Sequence, residues 1–229
     1  MTQRAPIAVA LDTSDLGTAT AWAAAVAPAV RAVKVGLQLF CHEGPGAVEK
    51  VRAAADFELF LDLKLHDIPA TVAGAARSLE PLAPTYLTVH ASAGPAAIEA
   101  AASALPGTRI AGVTILTSLS AADLDLLGIV GPPEVAVRRL ARIAVDAGAR
   151  ALVCSPQEVA AVRAEVGADI VLITPGIRPA GADAQDQSRV STPQSAIAAG
   201  ADLLVVGRPI TGAEDVGKAA GDLAAQLRG

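Results

Sequence analysis

Short apolar runs rich in β-branched residues alternate with longer alanine-rich stretches along the whole chain. Apolar runs of about four to eight residues are typical of buried strands, and the longer stretches between them are typical of helices. The pattern predicts strands at residues 7–12, 32–36, 58–64, 86–90, 109–116, 151–155, 169–174 and 203–206. It predicts helices at residues 14–30, 46–55, 69–79, 95–104, 121–127, 133–147, 157–166, 192–199 and 213–227.

Eight strands, each followed by a helix, fit a (β/α)8 TIM barrel, an α/β fold, within the 229 residues. An open, doubly wound sheet is the alternative. Its dinucleotide-binding glycines are missing after the first strand, where Asp12-Thr13-Ser14-Asp15 stand instead. Because no linker or low-complexity tract interrupts the pattern, we expect one domain spanning residues 1–229.

Polar residues gather at the predicted carboxyl ends of otherwise apolar strands, where barrel enzymes place their active sites. They are Asp12, Lys34, Asp62, Lys64, His90, Thr117, Ser155 and Arg208. This distribution favours an enzyme over a structural scaffold. For His90, and for His66 nearby, a structural hydrogen-bonding role is favoured over a catalytic one.

The third strand ends in Leu61-Asp62-Leu63-Lys64-Leu65 and is followed by His66-Asp67-Ile68-Pro69. Alternate residues of a strand share a face, so Asp62 and Lys64 are predicted to point the same way. A carboxylate and an ammonium at the end of a buried strand are costly unless they pair or function. A protonated lysine held there by a carboxylate can donate a proton to carbon. The alternative is a purely structural ion pair, with Asp67 as the N-cap of the next helix.

Two predicted loops have the composition of a phosphate site. Gly207 and Arg208 follow the last strand, where a glycine permits close approach of a ligand and a guanidinium suits phosphate oxygens. The loop after the seventh strand carries Arg178 and Gln187, and it is long enough to close over an anion as a lid. Barrel enzymes often bind phosphate in these two loops. A solvated loop with incidental arginines is the alternative.

The composition of the chain argues against several classes of function. The net charge of −5 argues against a nucleic-acid-binding surface, and the two cysteines, Cys41 and Cys154, have no spacing typical of a zinc site or disulfide framework. No apolar run is long enough for a membrane span, and the first residues show no apolar signal region. We therefore expect a cytoplasmic protein without nucleic-acid or membrane partners.

The chain resembles the orotidine 5′-phosphate decarboxylase family over nearly its whole length. The most specific motif is Asp62-x-Lys64-x-x-Asp67-Ile68-Pro69. Supporting motifs are Leu11-Asp12, Val33-Lys34-Val35-Gly36, Thr174-Pro175-Gly176-Ile177-Arg178, Asp186-Gln187-x-Arg189-Val190 and Val206-Gly207-Arg208-Pro209-Ile210-Thr211. Ala70 departs from the asparagine common in the family, a local difference in the first turn of a helix.

The resemblance implies decarboxylation of orotidine 5′-monophosphate to UMP and CO₂, the last step of de novo pyrimidine synthesis, without a cofactor or metal. It implies that Lys64 donates the proton to C6 and that Asp62 faces the departing carboxylate. Asp67 would complete a Lys-Asp-Lys-Asp array with Lys34. The family is dimeric, so the resemblance also implies a homodimer in which three residues reach the partner's site, namely Asp67, Ile68 and Thr71.

The resemblance assigns the remaining substrate contacts as well. Asp12 and Lys34 would hold the ribose hydroxyls, and Thr117 would contact the pyrimidine edge. Four residues would hold the phosphate, namely Arg178, Gln187, Gly207 and Arg208.

Two other functions remain open. A magnesium-dependent 3-keto-L-gulonate 6-phosphate decarboxylase shares the Asp-x-Lys-x-x-Asp pattern, but its metal needs converging oxygen ligands. Glu58 lies early in its strand, which leaves Asp62 without an obvious acidic neighbour. A barrel that binds a nucleotide without turnover is the other alternative, and the intact Lys64, Asp62 and Asp67 argue against it.

Overall fold

A computed structural model describes residues 4–178 and 191–227, and within them eight parallel strands close into a barrel in sequence order. The strands are β1 (Ala5–Ala10), β2 (Val30–Gly36), β3 (Glu58–Leu65), β4 (Tyr86–His90), β5 (Arg109–Val113), β6 (Ala151–Val153), β7 (Val171–Thr174) and β8 (Leu203–Val206). The helices are α1 (Leu16–Val26), α2 (Leu37–Glu43), α3 (Pro45–Ala54), α4 (Pro69–Leu79), α5 (Pro95–Ala104), α6 (Ala121–Leu126), α7 (Pro133–Asp146), α8 (Val159–Val166), α9 (Pro193–Ala198), α10 (Arg208–Thr211) and α11 (Val216–Gln226).

The predicted (β/α)8 barrel is confirmed, because β8 pairs with β1 and closes the sheet that the alternative fold would leave open. The molecule is a single-domain barrel surrounded by helices. Of the helices in residues 4–178 and 191–227, none is long and apolar enough to cross a membrane.

Several boundaries differ from the prediction. The first helix ends at Val26 instead of continuing to residue 30, because Pro28 has no backbone N–H with which to continue the helical hydrogen bonds. The short helix α2 was not predicted; it begins directly after β2 with Gly36 as its N-cap and ends at Glu43, with Gly44 as its C-cap. Strand β5 ends at Val113, so Thr117 lies in the loop beyond the strand.

The barrel interior is filled mainly by small aliphatic side chains around two aromatic rings. Phe60 and Tyr86, on the neighbouring strands β3 and β4, contact edge to face with ring centroids 5.9 Å apart. Ala8, Ala32 and Ala111 pack in the same inner cluster. A chain with only 2% aromatic residues thus places two of its few aromatic rings in the interior of the barrel.

Charged side chains close the amino end of the barrel. Arg31 of β2 lies 3.4 Å from Glu58, the first residue of β3, and the guanidinium of Arg109 lies over the ring of Tyr86 at 5.7 Å from its centroid. Glu58 is therefore at the opposite end of β3 from Lys64. These contacts lie at the amino end of the barrel, so the carboxyl ends of the strands are available to form a site.

Candidate active site

A cavity of about 500 Å³ lies at the carboxyl ends of the strands, within the size range of small-molecule sites. Its lining includes residues from β1, β2, β3, β5, β7 and β8 or the loops that follow them. Eight residues singled out in the sequence line it, namely Asp12, Lys34, Asp62, Lys64, Thr117, Arg178, Gly207 and Arg208. The barrel therefore brings residues distant in sequence to one concave surface.

Asp62 lies between two lysines. Its Oδ1 accepts a hydrogen bond from Nζ of Lys64 at 2.7 Å, and its Oδ2 lies 3.3 Å from Nζ of Lys34. Lys34 also donates to Oδ1 of Asp12 at 3.1 Å. The side chains of Lys34 and Asp62 are 8% and 13% exposed, whereas that of Lys64 is 30% exposed and lines the open cavity. Both carboxylate oxygens of Asp62 are thus occupied by ammonium groups.

The charges of this cluster stabilise each other against burial. Burial lowers the pKa of Lys34, but attraction from Asp62 and Asp12 outweighs it, so the pKa lies above its ordinary value. Burial raises the pKa of Asp62, and the charges of Lys34 and Lys64 outweigh this effect and leave that pKa below its ordinary value. The site therefore holds an ionised carboxylate between two cations at neutral pH.

Lys64 has an unusual backbone conformation. Its φ of 49° lies in the left-handed region, which costs a residue with a Cβ atom roughly 1–2 kcal/mol. The residue also lies where the pairing of β3 with β4 is irregular, between Leu61 and Leu65. Strained backbone of this kind persists only where surrounding contacts hold it, and it is frequent at functional sites.

Thr88 of β4 is a residue that sequence reasoning missed. It is fully buried, and its hydroxyl accepts a hydrogen bond from the backbone N–H of Lys64 at 2.8 Å and donates to Oδ1 of Asp62 at 3.2 Å. Alternation along β4 places Thr88 on the same face as Tyr86 and His90, which is a weak signal for a polar contact inside the barrel. Gln38, which also lines the cavity, was missed too, and Thr211 was named only as part of a motif, without a role in the site.

Two arginines line the β7–β8 side of the cavity. Arg178 follows β7 and is buried, and its Nη1 donates to the carbonyl of Ile177 at 2.9 Å. Arg208 follows Gly207 directly after β8 and is exposed. Gln187 and most of the predicted lid lie outside the described residues. The cavity thus combines guanidinium groups on one side with the Lys34–Asp62–Lys64 cluster on the other.

Three predicted residues do not line the cavity of their own chain, namely Asp67, Ile68 and Thr71. Asp67 Oδ1 accepts a hydrogen bond from the backbone N–H of Ile68 at 2.6 Å, and Ile68, not Asp67, is the N-cap of α4. The alternative interpretation of Asp67 as a helix cap was therefore wrong, because the helix begins one residue later than such a cap requires. All three residues are exposed, with Ile68 at 66%.

His66 and His90 stack on each other with ring centroids 5.0 Å apart. Burial is the main cause that lowers the pKa of His90 to about 4, and the charges of His66 and Lys64 add to it. His90 is therefore neutral at physiological pH. Ser155 is buried, and its Oγ accepts a hydrogen bond from the backbone N–H of Gln157 at 3.2 Å, which is a structural role.

Two similar proteins have the same name, orotidine 5′-phosphate decarboxylase. The chain is 65% identical over 224 residues to orotidine 5′-phosphate decarboxylase of Thermobifida fusca (strain YX), covering 98% of this chain and 96% of that protein. It is 56% identical over 241 residues to orotidine 5′-phosphate decarboxylase of Frankia casuarinae, covering 98% of this chain and 88% of that protein.

A solved structure has the same architecture. The crystal structure of orotidine 5′-phosphate decarboxylase from Lactobacillus acidophilus matches with a TM-score of 0.86 at 33% identity, covering 98% of this chain and all of that one. The family model described as "Orotidine 5'-phosphate decarboxylase / HUMPS family" matches residues 5–223. The chain therefore belongs to the orotidine 5′-phosphate decarboxylase / HUMPS family.

Proposed function

We propose that this protein decarboxylates orotidine 5′-monophosphate to UMP and CO₂, the last step of de novo pyrimidine synthesis. The names of its relatives support this reaction. The observation that carries the proposal is the Lys34–Asp62–Lys64 cluster, a buried carboxylate between two ammonium groups on one side of a cavity. The arginines on the other side suit the phosphate of a nucleotide.

Lys64 is the proton donor in this mechanism. The bond between C6 and the carboxylate carbon breaks, and its electron pair stays on C6, where no adjacent π system is placed to absorb it. An ammonium fixed by Asp62 at 2.7 Å stabilises the developing charge without reorganising, and its proton then passes to C6. The uncharged amine regains a proton from water after product release. No step requires a cofactor.

Asp62 faces the substrate carboxylate and remains ionised, since its pKa lies below the ordinary value. Its charge favours departure of CO₂ over retention of the carboxylate, and its Oδ1 holds Nζ of Lys64 in place at 2.7 Å. Lys34 and Asp12, joined at 3.1 Å, are proposed to hold the ribose hydroxyls. The oxygen of Asp12 accepts and the ammonium of Lys34 donates, so together they suit a vicinal diol.

The phosphate is proposed to bind Arg178, Gln187, Gly207 and Arg208, with Thr117 at the pyrimidine edge. Arg178, Arg208 and Thr117 line the cavity together with Lys64, which supports one ligand reaching from the loops after β7 and β8 to the proton donor. Contacts with the remote phosphate can lower the barrier at C6, because binding energy from a part of the substrate that does not react can be used in the transition state.

The functional unit is proposed to be a homodimer acting in the cytoplasm. Asp67, Ile68 and Thr71 are exposed at the start of α4 and do not line their own chain's cavity, which supports a role in the partner's site. Ile68 is a large apolar side chain with 66% exposure, the kind of surface that association covers.

The experiment follows the absorbance of orotidine 5′-monophosphate with purified protein, with and without EDTA. We expect EDTA-resistant conversion to UMP, and a fall in kcat of at least about 10³-fold in Lys64→Ala because a general acid and a preorganised charge are both lost. Lys50→Ala on the exposed face of α3 is the matched control and should keep full activity.

No turnover by the native protein would overturn the proposed reaction. Magnesium-dependent activity on 3-keto-L-gulonate 6-phosphate in its place would assign the protein to the other decarboxylase. Tight binding of UMP without turnover would identify a nucleotide-binding barrel that is not an enzyme.

A further inference from the structure

The strand that carries Lys64 loses its regular pairing at the site. Leu61 pairs with Leu87 and Leu65 pairs with Val89, so β3 uses more residues than β4 to cover the same distance. The additional residues bulge out of the ladder, and Lys64 takes its left-handed conformation there, with φ 49°. A backbone N–H in such a bulge needs an acceptor other than the neighbouring strand's carbonyl groups.

The hydroxyl of Thr88 is that acceptor. Its Oγ1 lies 2.8 Å from the backbone nitrogen of Lys64, and the residue is fully buried, so water does not compete for the contact. A hydroxyl has one donor and two acceptor positions. Because Thr88 accepts from Lys64, its own proton is free to be donated elsewhere.

That proton goes to Oδ1 of Asp62 at 3.2 Å, the same oxygen that accepts from Nζ of Lys64 at 2.7 Å. The terminal torsion of an aspartate is broad, so a carboxylate needs partners to fix its rotation. Thr88 fixes Oδ1 toward Lys64, which leaves Oδ2 directed at Lys34 at 3.3 Å. One hydroxyl thus holds both the backbone of the proton donor and the carboxylate that orients its ammonium.

We propose that Thr88 is a positioning residue that sets the location of the Lys64 ammonium for proton delivery. The inference rests on the proposed decarboxylation. Thr88 is not among the residues lining the cavity, so it acts through Lys64 and Asp62 and not by contact with the substrate. Its removal should therefore slow the chemical step and leave nucleotide binding in place.

Thr88→Val tests this, because valine has nearly the same shape without the hydroxyl. We expect kcat for orotidine 5′-monophosphate to fall about 10–100-fold, because displacing a catalytic group by about 1 Å can cost up to about 100-fold. The KM and the inhibition constant of UMP should stay within about threefold of wild type, since the substrate contacts remain. Thr88→Ser restores both hydrogen bonds and should restore kcat to within about threefold.

The matched control is Thr108→Val. The Thr108 hydroxyl donates to the carbonyl of Pro84 at 2.8 Å, and Thr108 precedes the first residue of β5, at the amino end of the barrel. This variant loses a comparable hydrogen bond and should keep the wild-type kcat. Thermal unfolding of all variants separates slow chemistry from a smaller folded fraction.

A wild-type kcat in folded Thr88→Val would overturn the proposal, as would a Thr88→Ser protein as slow as Thr88→Val. An equal loss in Thr108→Val would show that removal of any threonine hydroxyl bonded inside the protein has the same effect, and would overturn the proposal as well. Thr88→Ala carries the same expectation if the valine variant fails to fold. An inactive wild-type protein in the same assay would refute the decarboxylation itself, which distinguishes the two failures.

Discussion

Lys34 and Asp62 form a buried ion pair on neighbouring strands, with Nζ of Lys34 lying 3.3 Å from Oδ2 of Asp62. The pairing of β2 with β3 sets Gly36 opposite Asp62, so the lysine two residues earlier reaches forward along the barrel to the carboxylate. Burying two charges is unfavourable unless each has partners. Asp62 matters more than Lys34 for the stability of this pair, because Asp62 also contacts Lys64.

Asp62→Asn should therefore destabilise the fold more than Lys34→Met. The first change removes the carboxylate between two ammonium groups and leaves Lys34 with Asp12 as its counter-charge. We expect a loss of about 2–4 kcal/mol in the free energy of unfolding, reduced by the partial exposure of Lys64. Lys34→Met leaves Asp62 paired with Lys64 and should cost about 1–2 kcal/mol, since the methionine still fills the buried volume. Urea unfolding at pH 7 measures both, and equal losses, or a larger loss in Lys34→Met, would contradict the asymmetry.

Gly36→Ala should weaken substrate binding while the protein remains folded. A Cβ at Gly36 would lie 2.8 Å from Nζ of Lys34 and 3.1 Å from Oδ1 of Asp12, and its φ of −99° is accessible to alanine. The ammonium can move because it ends a flexible side chain, so the ribose site is disturbed and not the barrel. We expect kcat/KM to fall about tenfold or more, the loss of one charge-assisted hydrogen bond.

The matched control is Gly46→Ala on α3, where a Cβ meets nothing within 4 Å. Steady-state kinetics and urea unfolding of both variants give the comparison. Unchanged kcat/KM in Gly36→Ala would show that the positions of Lys34 and Asp12 do not matter for the substrate.

The fold and the charged residues of the cavity could be predicted from sequence because both depend on local patterns. Alternating strands and helices predict a barrel. Polar residues at the carboxyl ends of its strands converge on one face of that barrel, whatever the details of packing. Asp62 and Lys64 were predicted to share a face, and they do meet at 2.7 Å. The left-handed backbone that accompanies this contact has no sequence signal, because Lys64 is neither glycine nor asparagine.

Thr88 was missed because its role depends on the register of two strands. Nothing in Tyr86–His90 indicates that β3 bulges opposite its third residue, and a buried threonine usually satisfies its hydroxyl within its own strand or helix. The short helix α2, which supplies Gln38 to the cavity, was missed because it follows β2 without an intervening loop. The proposed role of Asp67 depends on a second chain.

The stability of the protein should fall as the pH decreases from about 6.5 toward 4, in part through His90. Its folded pKa of about 4 lies below the ordinary 6.5, so in this range the unfolded chain binds a proton that the folded protein does not. The groups that set this pKa besides burial are His66, Lys64 and Asp62. After allowance for solvent screening, we expect His90 to contribute about 1–2 kcal/mol of this loss.

His90→Gln removes the titrating group, and its stability should depend less on pH than that of wild type between pH 6.5 and 4.5. Urea midpoints at three pH values in this range measure the difference. Asp62 does not interfere, because its pKa is lowered from 3.8 and its contribution is lost only at more acidic pH. Parallel pH profiles for the two proteins would mean that His90 binds its proton equally in the folded and unfolded states.

Hybrid dimers test whether Asp67 acts in the partner's site. Lys64→Ala and Asp67→Ala should each be nearly inactive alone. Co-expressed with different affinity tags, they should form hybrids in which one site combines the native Lys64 of one chain with the native Asp67 of the other. Random association makes half of the dimers hybrids, each with one native site, so we expect about a quarter of wild-type activity.

Co-expression of Lys64→Ala with Asp62→Ala is the control for this experiment. Lys64 and Asp62 contact each other within one chain at 2.7 Å, so every site of that hybrid lacks one of them and no activity should return. Size-exclusion chromatography and the two tags verify that hybrids are present in both mixtures. If purified Lys64→Ala/Asp67→Ala hybrids stay inactive, Asp67 acts within its own chain. The loop before α4 then has to move, because Asp67 does not line the cavity of its own chain in this conformation.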